Sequence, residues 1–314
     1  MRSPPDEGHK ERSPDLLEQD EASGIEALPG KVSRYGIAKK RALDVVKYAK
    51  EAKSPAPTRR IEKCGEYLAF RHYFTVDQVR LHAARFCKVH LLCPLCAIRR
   101  GSKALSAYLP RYEAVRASRP DLVPFLVTLT VKDGPDLAER FKHLHDSMRE
   151  LWMRRARKRG SAVDDIEAGV WSYEVKKGKG SGEWHPHLHM VALAARAPDQ
   201  AYLAREWKDI TGDSFIVDVR PIDQAAPERG FIEVFKYALK FSDMSEADTL
   251  AAWLALRGRR LVASVGLFRG VEIPDQLTDE PLDDLPFVEY FFRYFDGAYS
   301  LCKEGGVPDR ATSS

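Results

Sequence analysis

Histidines alternate with other residues along the segment Trp184-His-Pro-His-Leu-His-Met-Val-Ala-Leu193. Side chains of a β-strand point alternately to its two faces, so a strand here places His185, His187 and His189 on one face. Three of the nine histidines of the chain lie in this short run. Imidazoles that converge on one face are typical of a metal site. The segment therefore predicts a strand with one apolar face and one metal-binding face.

The alternating segment that precedes it predicts the other strand of a β-hairpin, because a turn rich in glycine and lysine separates the two. If this turn centres near Ser181, Glu174 lies opposite residues 188 and 189. Side chains on one face of paired strands are neighbours, which selects His187 and His189 as the partners of Glu174.

The ligand types indicate which ion to expect. A carboxylate with two imidazoles suits Mg²⁺ or Mn²⁺, whereas three imidazoles favour Zn²⁺. We therefore expect a catalytic Mg²⁺ or Mn²⁺ on Glu174, His187 and His189, with His185 as a further ligand or as a group that orients one. The alternative is that Glu174 is a solvated carboxylate or an ion-pair partner of Lys176.

A second cluster of reactive residues lies in a helix predicted over residues 227–241. One helical turn separates Glu233 from Tyr237, and Lys236 and Lys240 lie within a turn of the tyrosine. A phenol that acts as a nucleophile needs a nearby cation to favour the phenolate, and the two lysines are suited to this. Alternatively, Tyr237 is a core aromatic residue and Glu233 pairs with Lys236.

The cysteines are clustered as well. Clustering in a chain without an apolar signal segment favours metal ligation over disulfides. Only the last two of the four show the diagnostic two-residue spacing. The expected structural zinc ligands are Cys64, Cys87, Cys93 and Cys96. His82 or His90 is an alternative for one ligand, and Cys302 is expected to be a packing residue.

The remaining pattern predicts an α+β fold with a central antiparallel sheet, flanking helices and a small zinc-binding module before it. We expect a disordered or partly helical extension over residues 1–58 and the cysteine module over 59–104. The catalytic domain then spans 105–270, and an acidic and aromatic tail spans 271–314.

Charge is segregated along the chain. Residues 36–60 carry eight Lys or Arg and two carboxylates, whereas residues 271–290 carry seven carboxylates and no Lys or Arg. A polyanion such as DNA would meet the first half preferentially. No apolar run is long enough to span a bilayer, which predicts a cytoplasmic protein without a membrane partner.

The order of these features resembles the motifs of rolling-circle plasmid replication initiators, the Rep_1 family. The resemblance rests on the apolar strand at 125, the histidine strand at 185 and the lysine-flanked tyrosine at 237. It extends to residues 86–100 and 255–262, and so covers roughly residues 60 to 270. One departure is the segment 89–91, where an arginine is common in the family.

The resemblance implies a bacterial endonuclease of the His-hydrophobic-His (HUH) type that nicks and rejoins single-stranded origin DNA through a 5′-phosphotyrosine. His187 and His189 match the metal ligands of the family, Tyr237 matches its nucleophile, and Glu233 matches its second catalytic group. The chain has no G-x-x-x-x-G-K-S/T loop. A host helicase and a host DNA polymerase are therefore expected partners.

Two alternatives remain open from the sequence. A transposase or relaxase of the same fold could use the same residues, although in relaxases the tyrosine precedes the histidine motif. A non-catalytic, zinc-containing DNA-binding regulator would instead use the histidines structurally.

Overall fold

The computed structural model describes residues 23–158, 160–236, 244–282 and 285–306. Its helices are α1 (Leu28–Glu51), α2 (Thr58–Glu62), α3 (Pro94–Ser118), α4 (Leu137–Ala156), α5 (Gln200–Thr211), α6 (Glu228–Phe235) and α7 (Glu246–Leu256). Its strands are β1 (Tyr67–Tyr73), β2 (Gln78–Ala84), β3 (Val123–Thr130), β4 (Ile166–Lys177), β5 (Trp184–Ala194), β6 (Val217–Pro221), β7 (Val262–Gly266), β8 (Val288–Phe295) and β9 (Ala298–Gly306).

The strands form two sheets in the described part of the chain. One has five strands in the order β6-β3-β5-β4-β7, and the other has four in the order β2-β1-β8-β9. The pairings in both sheets are antiparallel. The expected α+β class, with an antiparallel sheet and flanking helices, is confirmed.

Different helices cover the two faces of the five-stranded sheet. Leu188 and Met190 of β5 are fully buried among apolar residues of α4, α5 and α7. On the opposite face, Val191 and Leu193 pack against α3 and α6. Because alternate residues of a strand share a face, the histidines of β5 lie on this second face, next to the part that α3 and α6 cover.

Helix α4 shows how local sequence sets these elements. The side chain of Asp136 accepts a hydrogen bond from the backbone N–H of Glu139, which caps the first turn. Apolar residues at helical spacing, from Leu137 to Leu151, are buried on one side of the helix. The helix therefore lies flat on the sheet.

The N-terminal segment contributes more than an extension. We expected a disordered or partly helical extension over residues 1–58, and within it α1 is a helix of 24 residues that begins at Leu28. Tyr35 is fully buried, and its ring stacks on Phe70 of β1 with centroids 6.3 Å apart. Apolar residues along α1 pack into the core. The polar composition of the N-terminal segment did not predict this packing.

The C-terminal segment is likewise part of the fold. Strand β8 pairs with β1, with Phe292 opposite Leu68. The hairpin β8–β9 thus completes the sheet of the cysteine module. Within the segment expected as an acidic and aromatic tail, 271–314, residues 288–306 therefore form two paired strands.

One acidic residue of this segment is held in the interior. The carboxylate of Asp279 accepts hydrogen bonds from the Arg99 guanidinium and, at 2.7 Å, from the backbone N–H of Leu81. Lys103 lies 3.7 Å from the same carboxylate. Arg99 and Lys103 of α3 are therefore ion-paired with Asp279 of the acidic segment.

Candidate metal centres and catalytic face

The hairpin of β4 and β5 brings the expected ligands together, although its register differs from the expectation. Glu174 pairs with His187, and Ser172 pairs with His189. The turn centres half a residue before Ser181, so Glu174 lies opposite His187 and not opposite the expected positions 188 and 189. Residues opposite each other share a face, so Glu174 still lies on the side of the two histidines.

The three side chains form a compact donor group. Glu174 Oε1 lies 3.4 Å from His187 Nε2, and Glu174 Oε2 lies 3.6 Å from His189 Nε2. The three ligand atoms lie within 4.8 Å of one another. Glu174 is 1% exposed and His187 is 3% exposed. A solvated strand carboxylate, the alternative for Glu174, is excluded by this burial.

Neighbours orient the imidazole of His189. Its Nδ1 lies 3.0 Å from Thr128 Oγ1, a hydrogen bond that leaves Nε2 facing Glu174. Burial, together with the neighbouring His187, lowers the pKa of His189 to about 4. The imidazole is therefore neutral at pH 7, which is the form that binds a metal.

His185 occupies a neighbouring position outside this donor group. Its Nδ1 lies 2.5 Å from Asp133 Oδ1, and its ring centroid is 5.2 Å from that of His187. Asp133 follows the neighbouring strand β3, so only the strand order reveals its proximity. Asp133 was not predicted from the sequence, where its one visible signal was its place in a turn directly after a strand.

The helix that leads towards Tyr237 is anchored beside the group. The hydroxyl of Ser172 donates a hydrogen bond to the backbone carbonyl of Val234 in α6. Lys236 donates a hydrogen bond to Glu233, so the ion pair that we considered as an alternative is present. The charge of Glu233 opposes the lowering of the His189 pKa. Tyr237 and Lys240 lie outside the described residues.

The cysteines form a second donor group, and all four are buried. The Cys64–Cys96 and Cys87–Cys96 sulfur distances are 3.5 Å, and that between Cys93 and Cys64 is 3.6 Å. A disulfide requires about 2.05 Å. Sulfurs at the corners of a tetrahedron around zinc, with Zn–S of about 2.3 Å, are about 3.8 Å apart. The group therefore fits one tetrahedral ion closely.

Polar hydrogens surround these sulfurs. The backbone N–H groups of Cys87 and Val89 donate to Cys64 Sγ at 3.4 Å and to Cys87 Sγ at 3.5 Å. Burial lowers the pKa of Lys39, while the charges of Cys64 and Cys93 raise it. The Lys39 ammonium of α1 therefore interacts electrostatically with these sulfurs.

One alternative and one expectation about the cysteine region do not hold. Neither His82 nor His90 belongs to the donor group formed by the described residues. Cys302 is exposed, so it is not a packing residue, because β9 lies at the edge of its sheet.

Comparison with known proteins identifies the family to which the chain belongs. Residues 78–290, which include the Glu174 group and three of the four cysteines, match the Rep_1 family, described as replication protein. The chain belongs to the Rep_1 family. The chain is also 26% identical to "Protein rep" of Lactiplantibacillus plantarum over 256 residues, which cover 73% of this chain and 78% of that protein. No solved structure matches the chain.

Membership of Rep_1 supports a plasmid replication initiator that binds DNA. The helices described in this Rep_1 protein include none that is long and apolar enough to cross a membrane. Its two donor groups could each bind a metal ion, one through sulfur and the other through nitrogen and oxygen.

Proposed function

We propose that this Rep_1 protein initiates rolling-circle replication by nicking and rejoining single-stranded origin DNA through Tyr237. One observation carries the proposal. The buried group of Glu174, His187 and His189 lies beside α6, the helix that precedes Tyr237 in the chain. Membership of the Rep_1 family supports the replication role.

The donor sets fit two different ions. Glu174, His187 and His189 would hold Mg²⁺ or Mn²⁺, with His185 oriented beside them by Asp133. The four cysteines would hold a structural Zn²⁺. When bound at the first group, a divalent ion supplies stabilisation of the negative charge that develops on the phosphoryl oxygens.

The chemistry of the chain's own residues is a transesterification. The Tyr237 oxygen attacks the scissile phosphorus, a bond forms between them, and the bond from phosphorus to the 3′ oxygen breaks. Lys236 and Lys240 favour the phenolate that attacks. The 3′ hydroxyl released in this step primes synthesis by a host DNA polymerase, while a host helicase opens the duplex. The phosphotyrosine preserves a phosphodiester, so the strand can be rejoined without ATP.

Termination requires a second cut while Tyr237 is occupied. Glu233 is half-buried, contacts Lys236 and lies close enough to His189 to affect its pKa. It is suited to accept a proton from a water molecule, which would then cut the regenerated origin by hydrolysis. That cut is irreversible and would end replication.

The decisive experiment replaces Tyr237 by phenylalanine. Incubation with labelled single-stranded origin DNA and Mn²⁺ should yield a covalent adduct with the parent and none with the variant. The variant should still bind DNA, because the substitution removes one oxygen atom and does not remove a contact to a phosphate. Tyr202→Phe is the control, since Tyr202 is an exposed residue of α5 on the other face of the sheet.

A persisting adduct in Tyr237→Phe would identify another nucleophile. A parent that binds DNA and never nicks it would instead support the non-catalytic regulator. An enzyme that joins the ends of a mobile element rather than a plasmid origin would be a transposase of the same fold.

A further inference from the structure

A cavity of about 500 Å³ adjoins the Glu174 group. It lies between α3, strand β7 and the segment 270–273. Ser172, which pairs with His189, and Val234 of α6 form its end nearest the metal ligands. The cavity is therefore continuous with the catalytic face but is not part of the donor group itself.

The lining of the cavity is basic. Arg100, Lys236, Arg259 and Arg260 line it, and Glu272 is the acidic residue among its described lining residues. Arg260 is exposed, and its Nε atom donates to the backbone carbonyl of Val262 at 2.9 Å, whereas the Arg259 guanidinium lies over the ring of Phe141 in α4. A guanidinium has five N–H donors, and the bond to Val262 uses one of those of Arg260. This side of the cavity is suited to a phosphate.

The deeper lining is apolar and aromatic. Tyr108 of α3 and Phe235 of α6 line it with ring centroids 5.1 Å apart, and Val262 adds an aliphatic surface from β7. Ligand pockets usually measure about 300–1,000 Å³ and combine apolar walls with a few polar groups. A single nucleotide, with a flat base and a charged phosphate, matches this division.

We propose that this cavity binds one unpaired nucleotide of single-stranded DNA next to the scissile phosphate. The base enters the apolar part, and the adjoining backbone phosphate contacts Arg260. A base in a duplex cannot reach such a cavity without leaving its stack, so the site selects single-stranded DNA. The position beside the scissile phosphate rests on the proposed function, whereas the binding itself does not require chemistry.

Binding of fluorescein-labelled oligothymidylate, measured by anisotropy without added divalent ions, tests the proposal. A chain of abasic residues of equal length retains the phosphates and lacks the bases. Ser264→Trp fills the cavity, because Ser264 of β7 is half-buried and lines it. This variant should bind oligothymidylate about tenfold more weakly, in the range of one lost base stack, and bind the abasic chain as the parent does.

Arg260→Ala tests the phosphate contact. It should weaken binding of both oligomers and reduce the slope of log affinity against log salt by about 0.7, the value for one phosphate of a single strand. Arg205→Ala is the matched control, because Arg205 is an exposed arginine of α5 on the other face of the sheet. It should bind both oligomers as the parent does.

Val271→Trp fills the cavity from its opposite wall and covers the case in which Ser264→Trp does not fold, as judged by thermal unfolding. If each folded cavity-filling variant binds oligothymidylate like the parent, the cavity does not hold a base. Equal affinity for duplex DNA would also overturn the proposal. Tyr237→Phe should preserve the whole binding pattern. A parent protein that shows this binding pattern and does not nick DNA would refute the proposed function alone.

Discussion

Replacing Cys93 by serine removes one of the four buried sulfurs that join the cysteine module. Cys64 precedes β1, Cys87 follows β2, and Cys93 and Cys96 stand at the start of α3. Sulfur distances of 3.5 and 3.6 Å already approach the tetrahedral value, so little reorganisation opposes metal binding. The stabilisation by zinc should therefore be close to that of a preformed site.

The expected loss follows from known zinc sites. Structural zinc contributes about 10–16 kcal/mol of apparent binding free energy, which is about 2.5–4 kcal/mol for each of four ligands. A domain of about 150–250 residues loses roughly 2–4 °C of melting temperature per kcal/mol. Cys93→Ser should therefore lower the melting temperature by roughly 5–16 °C.

Thermal unfolding followed by circular dichroism, with the zinc content measured by elemental analysis, provides the assay. The parent should carry about one zinc per chain, the number expected for one tetrahedral Cys₄ site. A chelator should lower the melting temperature of the parent more than that of Cys93→Ser. The control is Cys302→Ser, because Cys302 is exposed in the edge strand β9. The reasoning fails if Cys93→Ser retains the zinc and the melting temperature of the control.

Three further outcomes are expected. Glu174→Gln should lower Mn²⁺ affinity in calorimetric titration at least about tenfold without loss of zinc, and parental affinity would show that this carboxylate is not a ligand. Without Mn²⁺, the free energy of unfolding should fall from pH 6.5 towards pH 4, because the unfolded chain protonates His189 before the folded one does. A His189→Gln variant with the same urea-unfolding pH profile would refute that assignment. Glu233→Gln should still nick but yield multimeric single strands, whereas a plain surface ion pair predicts unit-length circles at parental frequency.

The hairpin of β4 and β5 illustrates which parts of the candidate site could be predicted from the sequence. Alternation along β5 placed His187 and His189 on one face without knowledge of the fold. The turn position was misjudged, yet Glu174 was still assigned to the correct face. The register itself, with Glu174 opposite His187, required the structure, because a flexible glycine-rich turn leaves several pairings possible.

The cysteine group was recognised from clustering, but only the fold showed which residues meet. Two-residue spacing identified Cys93 and Cys96, whereas the positions of Cys64 and Cys87 depend on β1 and β2 folding back as a hairpin. Among the described residues, neither His82 of β2 nor His90 of the following loop belongs to the group.

The sequence by itself determined what is periodic or adjacent: the faces of the strands, the apolar stripe of α4 and the chemistry of the two donor groups. Tertiary structure alone decided that Asp133 meets His185, that β8 completes the sheet of β1, and that a basic cavity adjoins the Glu174 group. Each of these features brings together segments that are distant in the chain. Local pattern specifies which side of an element is buried, whereas the partner that buries it is selected by the packing of the whole core.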